Sequence, residues 1–239
     1  FDFAFPFLNA AVKGSTEICQ FMIDKKCFIN YEVLSLQKQE LIHIKKDILC
    51  NIIQNMTLFA KEILINCYLI DAIKAKYIFL IEYLLKEDAK DDFSLIEAVK
   101  TQDIEIVNMI LNKNSEPSFV NKLSEDGTAL NIAVSLNQLD IVKRLISIPG
   151  IDPSLFGKNK QTPLVTSISK LNFDIFNAIL DFYGTSINSQ QFQLDEAVNQ
   201  LSTMLLNTNG PLNKESSNNS NYLAIFNRLA QIESINFNI

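Results

Sequence analysis

Tryptophan is absent from this 239-residue chain, and histidine occurs once, at His43. A single imidazole leaves little for a Ser-His-Asp or Cys-His relay, and nothing near His43 suggests one. Cysteine is also sparse. Cys19, Cys27, Cys50 and Cys67 form no Cys-x-x-Cys pair. They read as buried, reduced thiols, and a zinc site would want closely paired Cys and His ligands. Long apolar runs are missing. The longest, ILINCYLI, falls far short of a membrane span and is followed by Asp71, Lys74 and Lys76. Positive charge is in the minority, with 21 Lys and Arg against 27 Asp and Glu. That balance argues against nucleic-acid binding, which needs clustered positive charge. The opening FDFAFPFL has neither a basic segment nor a small-residue cleavage site. It begins at Phe1 instead of Met, and a fragment of a longer protein is the expectation.

What is present is ordinary for a folded domain: 48% of residues are hydrophobic and 20% charged. Asn, Ile, Lys and Phe are frequent, which reads as the codon bias of an AT-rich genome. The motifs that suggest chemistry fail on inspection. Gly157-Lys158-Asn159 lacks both the upstream Gly and the Ser or Thr of a phosphate loop. Ser124-Glu125-Asp126-Gly127 lacks calcium-loop spacing. The acidic run Glu87 to Asp92 reads as a solvated loop. Neither a catalytic residue, a cofactor site nor a metal site is expected.

The positive signal is a repeat. From Ala133, Leu130 lies three residues before, Ile141 and Val142 eight and nine after, and Leu145 and Ile146 twelve and thirteen after. The same offsets hold from Ala98 (Leu95, Ile106, Val107, Ile110, Leu111) and from Ala72 (Leu69, Leu80, Ile81, Leu84, Leu85). They hold again from Ser167 (Leu164, Ile175, Phe176, Ile179, Leu180) and from Ala10 (Phe7, Ile18, Cys19, Met22, Ile23). Ala133 to Ser167 is 34 residues and Ala98 to Ala133 is 35. The 62 residues between Ala10 and Ala72 have room for one divergent unit. Each window predicts two helices, the second with one apolar face. The small anchor lets the first helix approach its neighbour. Glu17, Glu105, Asp140 and Asp174 stand near the start of the second helix, where negative charge suits the helix dipole. Gly14 or Asn137 supplies a left-handed turn residue. Pairs such as Val120-Asn121 and Ile151-Asp152 follow, the apolar member for a half-buried contact and the polar one for a turn.

These units resemble ankyrin repeats. Thr162-Pro163-Leu164 matches the T-P-L helix start, with Ser167 at the first Ala of that motif. Thr128-Ala129-Leu130-Asn131 matches it with Ala for Pro and Asn for His. Asp140-Ile141-Val142-Lys143-Arg144-Leu145-Ile146 is similar to the second helix of the family, and Pro149-Gly150-Ile151-Asp152 to a variant of its turn. The likeness is strong over residues 93 to 188 and fair over 5 to 30 and 67 to 87. Residues 31 to 66 are helical in pattern without the T-P-L start.

The expected fold is therefore all-α, an ankyrin-type α-solenoid of about six or seven helix pairs with short hairpin tips. Residues 1–239 are expected to form a single domain, with 31–66 a divergent unit and 207–220 an inserted polar loop in the last unit. The resemblance implies a non-catalytic protein–protein interaction module in the cytoplasm, binding a partner protein on a concave groove. The alternative is a structural or targeting segment of a larger protein whose activity lies elsewhere. By the same resemblance, the contact positions are Lys100, Thr101 and Gln102; Glu125, Asp126, Ser135 and Leu136; and Lys158, Asn159, Gln161, Ser169 and Lys170.

Overall fold

The computed structural model describes residues 4–13, 15–25, 68–158, 160–183, 198–199, 201 and 217–229. Among these residues the regular elements are all helices, with one isolated antiparallel bridge between Ser124 and Gly127. The fold class is all-α. Packing divides the chain into two compact units, Phe1–Thr101 and Gln102–Ile239.

In the first unit, α1 (Ala4–Val12) packs on α2 (Thr16–Asp24). Further along, α3 (Leu69–Lys74) packs on both α4 (Ile78–Lys86) and α5 (Ser94–Lys100). The anchors Ala10, Ala72 and Ala98 are buried, as are Leu69, Leu80, Ile81, Leu84 and Leu95. The template holds less well at two places, the first being Leu85, which is only half-buried on α4. At the second, Ile18 is 53% exposed beside Phe21, while Cys19 and Met22 are buried. Burying all four positions of such a face needs a neighbour on each side, and the extensive described contact of α2 is with α1.

The second unit holds α6 (Ile104–Lys113), the short α7 (Pro117–Val120), α8 (Ala129–Ser135) and α9 (Leu139–Ile146). It continues with α10 (Pro163–Ser169), α11 (Phe173–Tyr183) and α12 (Ser217–Leu229). First helices form one row, α8 on α10. Second helices form another: α6 on α9, α9 on α11, α11 on α12. Every template aliphatic on α6, α9 and α11 is buried. Each such side chain removed from water contributes about 1.5–3 kcal/mol, which sets the scale of the stacking. The anchor Ser167 is fully buried and stays satisfied by donating to the Leu164 carbonyl at 2.6 Å. Val120 and Ile151 are buried too, more deeply than the half-buried contact expected of them.

One turn recurs between first and second helices. Lys76, Gln102, Asn137 and Leu171, each four residues after an anchor, all have positive φ, between 52° and 62°. The N–H five residues after the anchor returns to the anchor carbonyl: Tyr77 to Ala72, Gln138 to Ala133, Asn172 to Ser167. This is the left-handed helix stop that satisfies otherwise orphaned carbonyls. The second helices then open on Glu17, Glu105, Asp140 and Asp174, as expected from the dipole. Asp103 adds a cap on α6, accepting from the Glu105 N–H at 3.0 Å.

One sequence expectation changes near the C-terminal end. The polar loop placed at 207–220 is cut short, because α12 begins at Ser217. Ile225 and Leu229 are fully buried on α12. Once that packing nucleates a helix, it propagates upstream through residues of poor intrinsic propensity. Residues 207–216 and the divergent unit at 31–66 lie outside the described residues.

Leu145 and Ile179 occupy equivalent, fully buried positions. Replacing either with Ala should cost about 2–5 kcal/mol in urea melts, against the small losses typical of surface sites. Lys76 is exposed and left-handed at φ 53°. Lys76→Gly relieves that conformation and should raise stability by about 0.5–1 kcal/mol, measured by the same melts.

Candidate functional site

Positions left over by stacking lie at the loop tips and at the ends of the first helices. In the second unit, the tips are built around Asn131, a side chain only 2% exposed. Its Oδ1 accepts from the Thr128 N–H at 2.9 Å and from the Thr128 hydroxyl at 2.8 Å. Its own N–H donates to Thr128 Oγ1 at 3.3 Å, closing a reciprocal cap on α8. The remaining amide Nδ2 reaches into the next repeat and donates to the Leu155 carbonyl at 3.1 Å.

Two glycines make room for this junction. Gly127 sits at φ +108°, and a Cβ there would lie 2.7 Å from the Gly157 Cα and 2.9 Å from the Asn131 Cβ. Gly157 faces the same Asn131 side chain. Adjacent tips are therefore in backbone contact. A second tie comes from Asn121, which donates through Nδ2 to the Gly150 carbonyl at 2.8 Å and accepts the Asp152 N–H at 2.8 Å.

The tips bring three of the sequence-derived positions together. Lys158 Nζ lies 3.4 Å from Asp126 Oδ1 in the preceding tip, with exposed Glu125 beside it. Gln161 closes the later tip, its carbonyl accepting from the Gly157 N–H at 2.9 Å. Sequence reasoning missed Leu123 and Phe156, which stand just before the first hydrogen-bonded residue of successive tips. They are 58% and 50% exposed. The available signal was a large apolar residue inside an otherwise polar turn.

A second cluster lies where the first helices end. A cleft of about 480 Å³ is lined by Ser135, Leu136 and Asn137 from one turn and Lys170, Leu171 and Asn172 from the next. Phe173, Asp174 and Asn221 complete it. Asn172 Nδ2 donates to Asn137 Oδ1 across the two turns. Gln138 Nε2 repeats that link one step earlier, to Gln102 Oε1 at 2.9 Å, and Asn221 Nδ2 reaches the Leu171 carbonyl at 3.2 Å. Ser135, Leu136 and Lys170 thus share one cavity, while Ser169 is turned back onto the Val165 carbonyl at 3.0 Å.

The other positions separate. Lys100 and Thr101 belong to the first unit. There Lys100 Nζ is 3.0 Å from Glu97 Oε1, and the Thr101 hydroxyl donates to the Ala98 carbonyl at 2.6 Å. Asn159 lies outside the described residues, as do His43, Cys27, Cys50 and Cys67.

Reactive chemistry is scarce in this arrangement. Cys19 is buried and its thiol points at the Phe7 carbonyl, 3.9 Å away. Burial pushes the thiol up, against a weaker lowering from a backbone hydrogen bond, so thiolate is disfavoured at neutral pH. Among the described residues, no three His, Cys, Asp or Glu side chains gather as a metal site would require. No described helix is long and apolar enough to cross a membrane.

The family pattern for ankyrin repeats, in three copies, matches residues 95–191. Residues 95–191 carry ankyrin repeats. The ankyrin-repeat domain of human ASB11, known from its crystal structure, aligns with a TM-score of 0.56 at 19% identity. The alignment covers 92% of this chain and 97% of that one, and at this identity it speaks to the ankyrin fold alone. A segment of the NAD-dependent deacetylase sir2B of Dictyostelium discoideum is 30% identical over 97 residues. That stretch is 40% of this chain and 12% of the relative.

Asn131→Ala removes the acceptor of two buried Thr128 donors and the bond to the next ankyrin unit. A loss of about 1–3 kcal/mol is expected in chemical denaturation. Hydrogen exchange should quicken at the tips, from 122 to 128 and from 155 to 161, before it does in α9 or α11.

Proposed function

We propose that the chain is a non-catalytic protein–protein interaction module in the cytoplasm. Its partner docks on the concave groove formed by the tips and first helices of the second unit. The observation that carries this reading is a division of labour. The repeat template consumes the buried aliphatics, while Glu125, Ser135, Lys158 and Lys170 stay exposed and take no part in the core. The apolar Leu123 and Phe156 on successive tips add contact area of the kind that interfaces use as anchors.

The three candidate lysines are not equal. Lys100 leans on Glu97 and Lys158 on Asp126, so each offers a partner a charge already partly matched. Reversal to Glu should leave the fold intact, since surface changes shift stability by about 0.5 kcal/mol or less. Interface anchors cost about 2 kcal/mol or more. For Lys158→Glu combined with Lys170→Glu, the expected result is a melting curve close to wild type and loss of the native partner in an affinity pull-down read by quantitative mass spectrometry. An unchanged set of captured proteins, beside a wild type that does capture, overturns the groove reading.

A second reading has its own support. The stretch shared with the sir2B deacetylase is a small part of that protein. On this reading, the ankyrin units are a structural or targeting segment of a larger protein whose activity lies elsewhere. A catalytic region encoded in the same gene is the observation that would favour it.

A further inference from the structure

We infer that the tips of the second unit are a self-association surface, taking a second copy of this chain about a two-fold axis. The inference does not rest on the groove reading above, because it needs no other protein.

Two neighbouring tips carry their residues in matched order. The first tip opens at Ser124, whose N–H donates to the Gly127 carbonyl, and the next at Gly157, whose N–H donates to the Gln161 carbonyl. One residue before each opening stands a large exposed apolar side chain, Leu123 on the first tip and Phe156 on the second. One residue after each opening stands an exposed charge, and its sign changes: Glu125 on the first tip, Lys158 on the second. Asp126 joins Glu125, and Lys160 joins Lys158, with no acidic residue between 155 and 161. Lys122 is the one basic residue of the first tip and is half-buried. The two tips touch at Gly127 and Gly157, so these side chains lie along one continuous edge.

Such an edge is complementary to itself. A two-fold axis lying between the tips, across the stacking direction, sets the first tip of one copy on the second tip of the other. Leu123 then meets the partner's Phe156 and Glu125 meets the partner's Lys158, and each contact occurs twice. With like tips opposed, Glu125 would face Glu125 and Lys158 would face Lys158, which like-charge repulsion disfavours. Net charge acts in the same direction. At −6, two copies repel on average, and they approach most easily where each carries both signs. Within one copy, Lys158 reaches Asp126 at 3.4 Å, whereas Glu125 has no ion-pair partner among the described residues. The Lys158 ammonium has three donors and can serve Asp126 and the partner's Glu125 together. A different protein would have to reproduce this order of apolar and charged groups, and a second copy carries it by symmetry. Two tips a side fall at the low end of specific interfaces, about 1,200 Å² in total or less, so a dimer in rapid exchange with monomer is expected.

The test is sedimentation velocity on the full 239-residue chain, over a roughly hundredfold range of concentration. Wild type should pass from monomer to dimer as concentration rises. Leu123→Asp and Phe156→Asp, each with a melting temperature matching wild type, should weaken the dimer by roughly tenfold or more. Glu125→Lys and Lys158→Glu should each do the same alone, since each turns two attractive contacts repulsive. Mixed in equal amounts, these two charge variants should recover a dimer of wild-type strength, because every contact between them again pairs opposite charges. A folding defect in either variant cannot produce that recovery. A wild type that stays monomeric throughout overturns the proposal, as does a dimer indifferent to these substitutions. Charge variants that fail to recover on mixing overturn it too, and so does growth past the dimer, which a closed two-fold arrangement forbids. A native partner captured in an affinity pull-down, beside a purified wild type that stays monomeric, retains the groove and rejects self-association.

Discussion

Helices of seven to eleven residues, such as α8, α10 and α11, do not hold together in water by themselves. Nucleation costs more than so few hydrogen bonds return, and one short helix pair has no interior of its own. The second unit is stable only because each pair lends its apolar face to the next. Spacing, small anchors and paired aliphatics all follow from that requirement. Ala133 and Ser167 are fully buried because the first helices meet there, and a larger side chain would hold them apart.

Apolar stacking is non-directional, so it does not fix the register between repeats. In the second unit, polar contacts between equivalent or neighbouring positions do. Asn131 to the Leu155 carbonyl and Asn121 to residues 150 and 152 align the tips. Gln138 to Gln102 and Asn172 to Asn137 align the turns, and Arg144 Nε donates to Asn108 Oδ1 at 3.0 Å between second helices. Asn131 matters most because it is buried. It couples the start of its own helix to the next tip, so losing it disturbs a repeat and its neighbour together.

How much of this was legible depended on whether a residue's type carried its role. The aliphatics did, and their offsets located the buried faces of α6, α9 and α11. Asn137 was readable as a left-handed turn residue because Asn tolerates that conformation. Lys76, Gln102 and Leu171 hold the same backbone angle without any such preference, so only their position in the repeat marks them. Ile18 matched the pattern and stayed exposed, because a sequence offset does not say whether a neighbour covers the face. The start of α12 at Ser217 was hidden by composition. At the candidate site, Ser135, Leu136 and Lys170 were chosen one at a time, and their shared cavity arises from two turns stacking. The partners of Lys100 and Lys158 were unreadable for the same reason: one is set by a helical turn, the other by the next tip.

The same division explains why the class of function is easier to reach than the partner. Stacking demands a particular residue at each interior position, so those positions repeat and announce the architecture. Binding makes no demand that recurs from unit to unit, so tip and helix-end residues differ between repeats. Leu123 and Phe156 differ in shape at equivalent places, and Ser135 and Ser169, two residues after an anchor, differ in whether the hydroxyl is free. Specificity in such a surface comes from which donors and charges the fold leaves unspent. Lys158 is answered by Asp126 and Lys100 by Glu97, whereas Lys170 has no ion-pair partner among the described residues. The turn that ends each first helix is set by stacking, while the residue three after the anchor, Ala75, Thr101, Leu136 or Lys170, is left to vary.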